Sequence, residues 1–190
     1  MPFYEVQHTY PLTLSQKHAF AKAITELHST TFLTPSLFVN VSFHLLQPRN
    51  EENTYFLAGE PVAHNNAGPN RVLAMVRTSP NRTKAIWDDL AGKLEEKWYE
   101  VVDGEKPNGH QNGDANGDTA AKKLHFITFY PMLAARENGV TIPDAGSESS
   151  WLRDNMPFFK SQAYEHGDEN FRKMIDEIDT RDDLKAMLKA

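Results

Sequence analysis

The apolar pattern of this chain runs strand, helix, strand and then repeats that order, which restricts the fold to a sheet with its helices on one side. In the first unit, residues 3–9 alternate as a strand, and Thr13-Leu14-Ser15-Gln16 fits a capping box that opens a helix. Phe20, Ala23, Ile24 and Leu27 recur at helical spacing, and the helix is expected to end between His28 and Thr31, ahead of the Pro35 turn. A second strand is expected with Leu37, Val39, Val41, Phe43 and Leu45 on one face and Asn40, Ser42 and His44 on the other. The second unit follows a polar stretch with a short hairpin strand at residues 55–58. It consists of a strand at 72–76, a helix marked by Ile86, Trp87, Leu90, Leu94 and Val101, and a strand at 124–129. Ser79-Pro80 fits the N-cap and first turn of that helix. The expectation is an α+β fold of tandem βαβ units, a four-stranded sheet with two helices on one face.

Two segments stand outside the repeat. Residues 103–121 are rich in Asn, Gly and Asp, lack the apolar content to fold, and are expected to form a disordered low-complexity insertion. From residue 147 onward, Phe171, Met174, Ile175 and Ile178 mark a helix, and Thr180 is expected to open a last one with Leu184, Met187 and Leu188. The organisation expected is therefore one domain over 2–146 and a C-terminal helical extension over 147–190. Two helices leave the half-polar sheet face of Asn40, Ser42 and His44 uncovered, so self-association is expected to cover it.

Charge and composition exclude several classes. A net charge of −6, with 20 Lys and Arg among 26 acidic residues, argues against a nucleic-acid partner. No apolar run approaches the length of a membrane span, and no signal-peptide pattern opens the chain, so a cytoplasmic protein is expected. The absence of cysteine removes disulfides and thiolate chemistry, and no histidine spacing suggests a metal site.

What remains is a chemistry of proline, arginine, histidine and carboxylate. Pro2 directly follows the start methionine at the head of the first strand. Once Met1 is removed, Pro2 is a secondary amine whose protonation at neutral pH is set by burial and neighbouring charge. Arg77 follows the third strand, and Arg82 is expected in the first turn of the second helix, where a cation opposes the macrodipole unless an anion lies between them. A substrate carboxylate would be that anion; a solvated role, or pairing with Asp88 or Asp89, is the plain alternative. His28 ends the first helix, where the carbonyl ends favour a protonated imidazole and a capping role. For Glu137 the plain alternative is a solvated Arg136–Glu137 pair on a short helix closed by Gly139.

Taken together, Pro2, the segment Leu12-Thr13-Leu14-Ser15-Gln16-Lys17-His18-Ala19-Phe20-Ala21-Lys22-Ala23-Ile24-Thr25-Glu26-Leu27-His28 and the tandem βαβ units resemble the tautomerase superfamily, nearest its cis-3-chloroacrylic acid dehalogenase group. The resemblance continues through Val39-Asn40-Val41-Ser42-Phe43, Tyr55-Phe56-Leu57-Ala58-Gly59, Arg77 and Glu137-Asn138-Gly139, with Pro143 and Gly146, and fades after residue 146. It implies a homotrimer that uses its N-terminal proline, with no metal or organic cofactor, on small unsaturated or 2-oxo carboxylates. It further implies that Arg77 binds the carboxylate, that His28 bonds substrate or orients water, and that Glu137 activates water.

Two positions depart from the family pattern. The second arginine stands five residues after the first, rather than three, which leaves Arg82 an uncertain equivalent. The family tyrosine of the fourth strand falls at Thr128 or Phe129, with Tyr130 a residue or two later. A displaced phenol weakens water addition, whereas proton transfer by Pro2 with Arg77 as anchor needs fewer partners. The reading is therefore a keto–enol tautomerase with Pro2, His28, Arg77 and Glu137 as catalytic residues and Arg77, Arg82 and Tyr130 contacting substrate. A hydratase or hydrolytic dehalogenase of a 3-substituted acrylate is the alternative, and a non-catalytic binding protein of the same fold the third.

Overall fold

The computed structural model describes residues 1–46, 55–61, 69–104 and 120–189. Its central sheet has four strands, β1 (Phe3–His8), β2 (Asn40–Leu45), β5 (Asn70–Val76) and β6 (Leu124–Pro131), in the order β2-β1-β5-β6. Helix α1 (Leu14–Thr31) joins the parallel pair β1/β2, and α2 (Lys84–Gly104) joins the parallel pair β5/β6. The two units meet through antiparallel pairing of β1 with β5. The tandem βαβ fold expected from the sequence is the fold observed.

The capping box that opens α1 forms in full: Gln16 N–H donates to Thr13 Oγ1 at 3.1 Å and Thr13 N–H to Gln16 Oε1 at 2.9 Å. Gln16 also reaches α2, its amide donating to the Val101 carbonyl at 3.2 Å. The core between sheet and helices is built from Tyr4, Val6, Val72 and Ala74 below and Phe20, Ile24, Leu94 and Trp98 above, all fully buried. Alternation then directs Phe3, Glu5, Gln7, Asn40, Ser42, His44, Met75 and Tyr130 to the opposite face. That face leaves Met75 and Tyr130 side by side, 41% and 49% exposed.

Several local expectations are corrected. Leu37 lies in a 3-10 turn over Ser36–Phe38, and the strand starts at Asn40, so its inward face is Val41 and Phe43 while Leu45 is exposed. The fourth strand runs on to Pro131 and includes Tyr130. Ser79-Pro80 does not cap α2, which starts at Lys84; Ser79 instead accepts from Arg82 N–H at 3.0 Å in the preceding turn, and the Thr83 carbonyl receives the first helical bonds. The hairpin strand expected at 55–58 is β3 (Phe56–Leu57), paired with β4 (Glu60–Pro61). Of the expected disordered insertion at 103–121, residues 105–119 lie outside the described residues; Asp103 and Gly104 finish α2, and Ala121 is buried.

After β6 the chain forms a two-residue hairpin, β7 (Arg136–Glu137) and β8 (Val140–Thr141), and then helices α3 (Glu148–Lys160), α4 (Glu169–Thr180) and α5 (Asp182–Met187). Thr180 belongs to the end of α4, and Arg181 precedes α5. These helices make a second core of Leu152, Phe159, Phe171, Met174, Ile178 and Leu184 around Phe38 and Met1. Glu177 of α4 fixes the junction, accepting from Ser36 N–H at 2.9 Å and Ser36 Oγ at 2.8 Å. No helix among the described residues is long and apolar enough to cross a membrane.

Candidate active site

The start of β1 and the ends of β5 and α1 lie at the same end of the molecule, and their side chains converge there. Met1 is 4% exposed, and its amino group is held near pKa 5, chiefly by burial and then by the Arg77 guanidinium, with Arg82 adding to the effect. Glu137 and Glu148 act in the opposite sense on that amine. Pro2 lines an open cleft of about 430 Å³ together with Phe3, Asn40, Met132, Glu137 and Asn170.

Glu137 is on a hairpin and not on a short helix. Its turn is Asn138-Gly139, both at positive φ (48° and 87°), the backbone geometry that lets two residues reverse a tight hairpin. Arg136 turns to the Gly139 carbonyl at 2.8 Å, and Glu137 accepts from Asn40 Nδ2 at 2.8 Å. Partial burial raises the Glu137 pKa, while the Asn40 bond and the nearby terminal amine oppose that rise.

His28 does not cap its helix as a cation. The ring is 2% exposed, edge-on to Tyr4 and tilted against Phe32 with centroids 4.7 Å apart. Its pKa lies well below the usual histidine value because of burial first, then the Arg82 guanidinium, the chain terminus and Arg77. Nδ1 sits 2.9 Å from the Tyr4 hydroxyl. Burial raises the Tyr4 pKa, so a neutral phenol and a neutral imidazole share this hydrogen bond.

Arg77 directly follows β5 and is 8% exposed. Its Nη1 donates to the Pro143 carbonyl at 2.8 Å, and its Nη2 pairs with Glu148 Oε1 at 2.9 Å. Arg82 meets the same Glu148 oxygen, donates to the Arg77 carbonyl at 3.2 Å and lies 4.6 Å from the Phe32 ring centroid. Asp88 and Asp89 pair with Lys84 and Lys93 on the exposed face of α2 and play no part here. Arg82 is also not in a helical first turn, since it precedes α2. An anion does reconcile the two arginines, and it is the chain's own carboxylate.

Of the residues singled out in the sequence, Pro2, His28, Arg77, Arg82 and Glu137 therefore cluster around the chain terminus. Tyr130 does not join them; it stands exposed on the open sheet face beside Met75. Among the described residues, no three His, Asp or Glu side chains converge as a metal ion would require. A family model described as "Putative oxalocrotonate tautomerase enzyme" matches residues 1–156. The chain belongs to this tautomerase family.

No curated protein matches this tautomerase-family chain. Among solved structures it is similar to N1, a member of the cis-3-chloroacrylic acid dehalogenase family, at 20% identity over 79% of this chain and 90% of that one, with a TM-score of 0.49. It is similar as well to a fused 4-OT asymmetric trimer, F6, at 18% identity over 73% and 94%, with a TM-score of 0.48. A third is MIF2 of Leishmania major, at 14% identity over 75% and 97%, with a TM-score of 0.45.

Sequence reasoning missed Glu148, Asn40 and Tyr4 as members of this tautomerase-family site. Tyr4 and Asn40 were legible only as core and surface residues of strands. Glu148 lies 66 residues from Arg82 in sequence, and its one local signal is an acid in the first turn of a helix. It also accepts from Gly146 N–H at 2.7 Å, which fixes the carboxylate's approach.

Proposed function

We propose that this protein is a cofactor-free keto–enol tautomerase of a small 2-oxo or unsaturated carboxylate, acting through Pro2 after removal of Met1. The observation that carries the reading is the burial of the chain terminus beside Arg77, within the electrostatic reach of Arg82, Glu137 and His28. The amine of Pro2 would lie one residue from that of Met1, in surroundings that disfavour an ammonium ion. A neutral amine is a base. It takes the proton of the enol hydroxyl or of C3, the electron pair passes into the enolate, and the same amine returns a proton to C3 or to oxygen. Arg77 meets the carboxylate and the developing enolate charge with charge-assisted bonds. His28, held neutral by burial, is suited to hydrogen-bond substrate rather than to supply a second cation.

In this reading the protein is a homotrimer, and the open sheet face with Asn40, Ser42, His44, Met75 and Tyr130 is the contact surface. Tyr130 would then be offered to a neighbouring subunit. A second reading is favoured by one contact: Glu137, held by Asn40 in the cleft beside Pro2, is placed to orient a water for addition to a 3-substituted acrylate. That reaction requires a protonated Pro2.

The test is the pH dependence of turnover alongside an NMR titration of ¹⁵N-labelled Pro2, on protein whose intact mass shows Met1 removed. Tautomerase chemistry gives a rate that rises with pH through a Pro2 pKa below the usual ~8 of a terminal amine. A pKa above 8, with activity confined to the protonated form, overturns it in favour of water addition.

A further inference from the structure

The Met1 side chain is itself seated in a pocket. It packs in the second core against Phe38, Ile142, Leu152 and Met187, and Trp151, Arg77, Glu148 and Thr34 also line the pocket. Met1 also lines the open cleft that holds Pro2, Asn40 and Glu137. It is thus the wall common to an apolar pocket and a polar cleft, and its removal joins the two with Pro2 at the junction.

Resting on the tautomerase reading, we propose that the space occupied by the Met1 side chain is the binding site for the substrate's tail, and that the preferred substrate is a monocarboxylate with an unbranched apolar chain. Three features select that class. First, the present occupant is itself an unbranched apolar chain, enclosed to 4% exposure. Second, the lining away from Arg77 is largely apolar, and the acid that joins it, Glu148, would repel a second anionic end. Third, Glu148 already occupies Arg77 and Arg82 and Glu137 adds a further acid beside the terminal amine, so the site lacks the positive charge to hold two substrate carboxylates. Trp151 and Leu152 belong to α3 and Met187 to α5, so the C-terminal helices become the specificity wall of the site.

The test compares three 2-oxo acids, 2-oxobutanoate, 2-oxohexanoate and 2-oxoadipate, by deuterium incorporation at C3 in processed protein. Two added methylenes buried in the pocket should raise kcat/KM for 2-oxohexanoate about ten-fold over 2-oxobutanoate. 2-Oxoadipate, of equal length but with a second carboxylate, should fall below 2-oxobutanoate. In parallel, calorimetry measures butyrate, hexanoate and adipate binding to processed protein and to protein retaining Met1. Hexanoate should bind most tightly to the processed form and at least about ten-fold more weakly when Met1 fills the pocket. Equal exchange of all three acids would overturn the pocket and leave the tautomerase reading intact. Selective hexanoate binding without exchange would do the reverse. Hexanoate binding that ignores Met1, or adipate binding as tight as hexanoate, refutes the assignment of this space.

Discussion

Replacing Glu148 by Gln isolates the contact on which the site's electrostatics turn. In the wild type one carboxylate, only 14% exposed, faces two guanidinium groups that are each 9% exposed. At an effective dielectric of 20, each ion pair is worth about 4 kcal/mol in Coulomb attraction, most of which is spent on desolvating the charges. Removing the carboxylate charge leaves that desolvation uncompensated, and losing one partner of a buried pair costs about 3–5 kcal/mol. The lower end applies here, because glutamine keeps an oxygen that can accept from one arginine. For a chain of this size, about 3 kcal/mol lowers Tm by roughly 6–12 °C. The same change should raise affinity for external anions, since the guanidinium forks would be free. Excess sulfate should therefore restore up to about 2.7 kcal/mol once it reaches a hundred times its Kd. Urea unfolding of both proteins, with and without sulfate, reads both effects. An unchanged midpoint, or a loss that sulfate does not reduce, would refute the reasoning.

Other outcomes follow from the same geometry. Burial holds the folded His28 pKa below its unfolded value near 6.5, so as pH falls through 6.5 the unfolded chain binds the extra proton and stability falls; His28→Gln should flatten that fall between pH 7.5 and 5.5, measured by urea midpoints at each pH. His8 and the terminal amine, both shifted down chiefly by burial, keep a slope of that sign in both proteins. Gly139→Ala places a Cβ 3.0 Å from Phe158 at φ 87°, and should destabilise by about 1–2 kcal/mol while lowering turnover through displaced Glu137. Gly92→Ala, in open space within α2, should stabilise by about 0.5–1 kcal/mol, so equal effects in thermal melts would contradict the local geometry. Protein retaining Met1 should lose about 10²- to 10⁴-fold in tautomerase rate, and equal rates would remove Pro2 from the mechanism.

The scaffold was legible because local and global signals agree in it. Thr13 and Gln16 form the capping box their spacing predicts, and the alternation of β1 and β2 places Asn40, Ser42 and His44 on the open face as read. The readings that failed depended on information that does not repeat along the chain. Ser79-Pro80 has the composition of a helix start, yet the turn it makes carries Arg82 back to the Arg77 carbonyl before α2 begins. Helical position suggested a charged His28; burial against Tyr4 and Phe32 reverses the preference. Asn138-Gly139 carries a hairpin signal, and the hairpin it forms sets aside the plain alternative of a short helix closed by Gly139.

The five-residue interval between the arginines then has a physical account. It lifts the second guanidinium out of the helical first turn and lays it over Phe32, where its free edge meets Glu148 from the tail. The contact joins residues on either side of position 146, and the family match takes in the first ten residues beyond it, 147–156. Those ten residues hold Glu148, which balances Arg77 and Arg82, and Trp151 and Leu152, which wall the Met1 pocket. The remaining helices hold α3 in place through Phe159, Phe171 and Ile178, and Glu177 ties them to Ser36 at the approach to β2. On the tautomerase reading, a tail packed in this way would act on the reaction through two terms, the charge that Glu148 sets against Arg77 and Arg82 and the shape of the space beside the terminal amine. Glu148, Trp151 and Leu152, near the start of α3, would contribute to both.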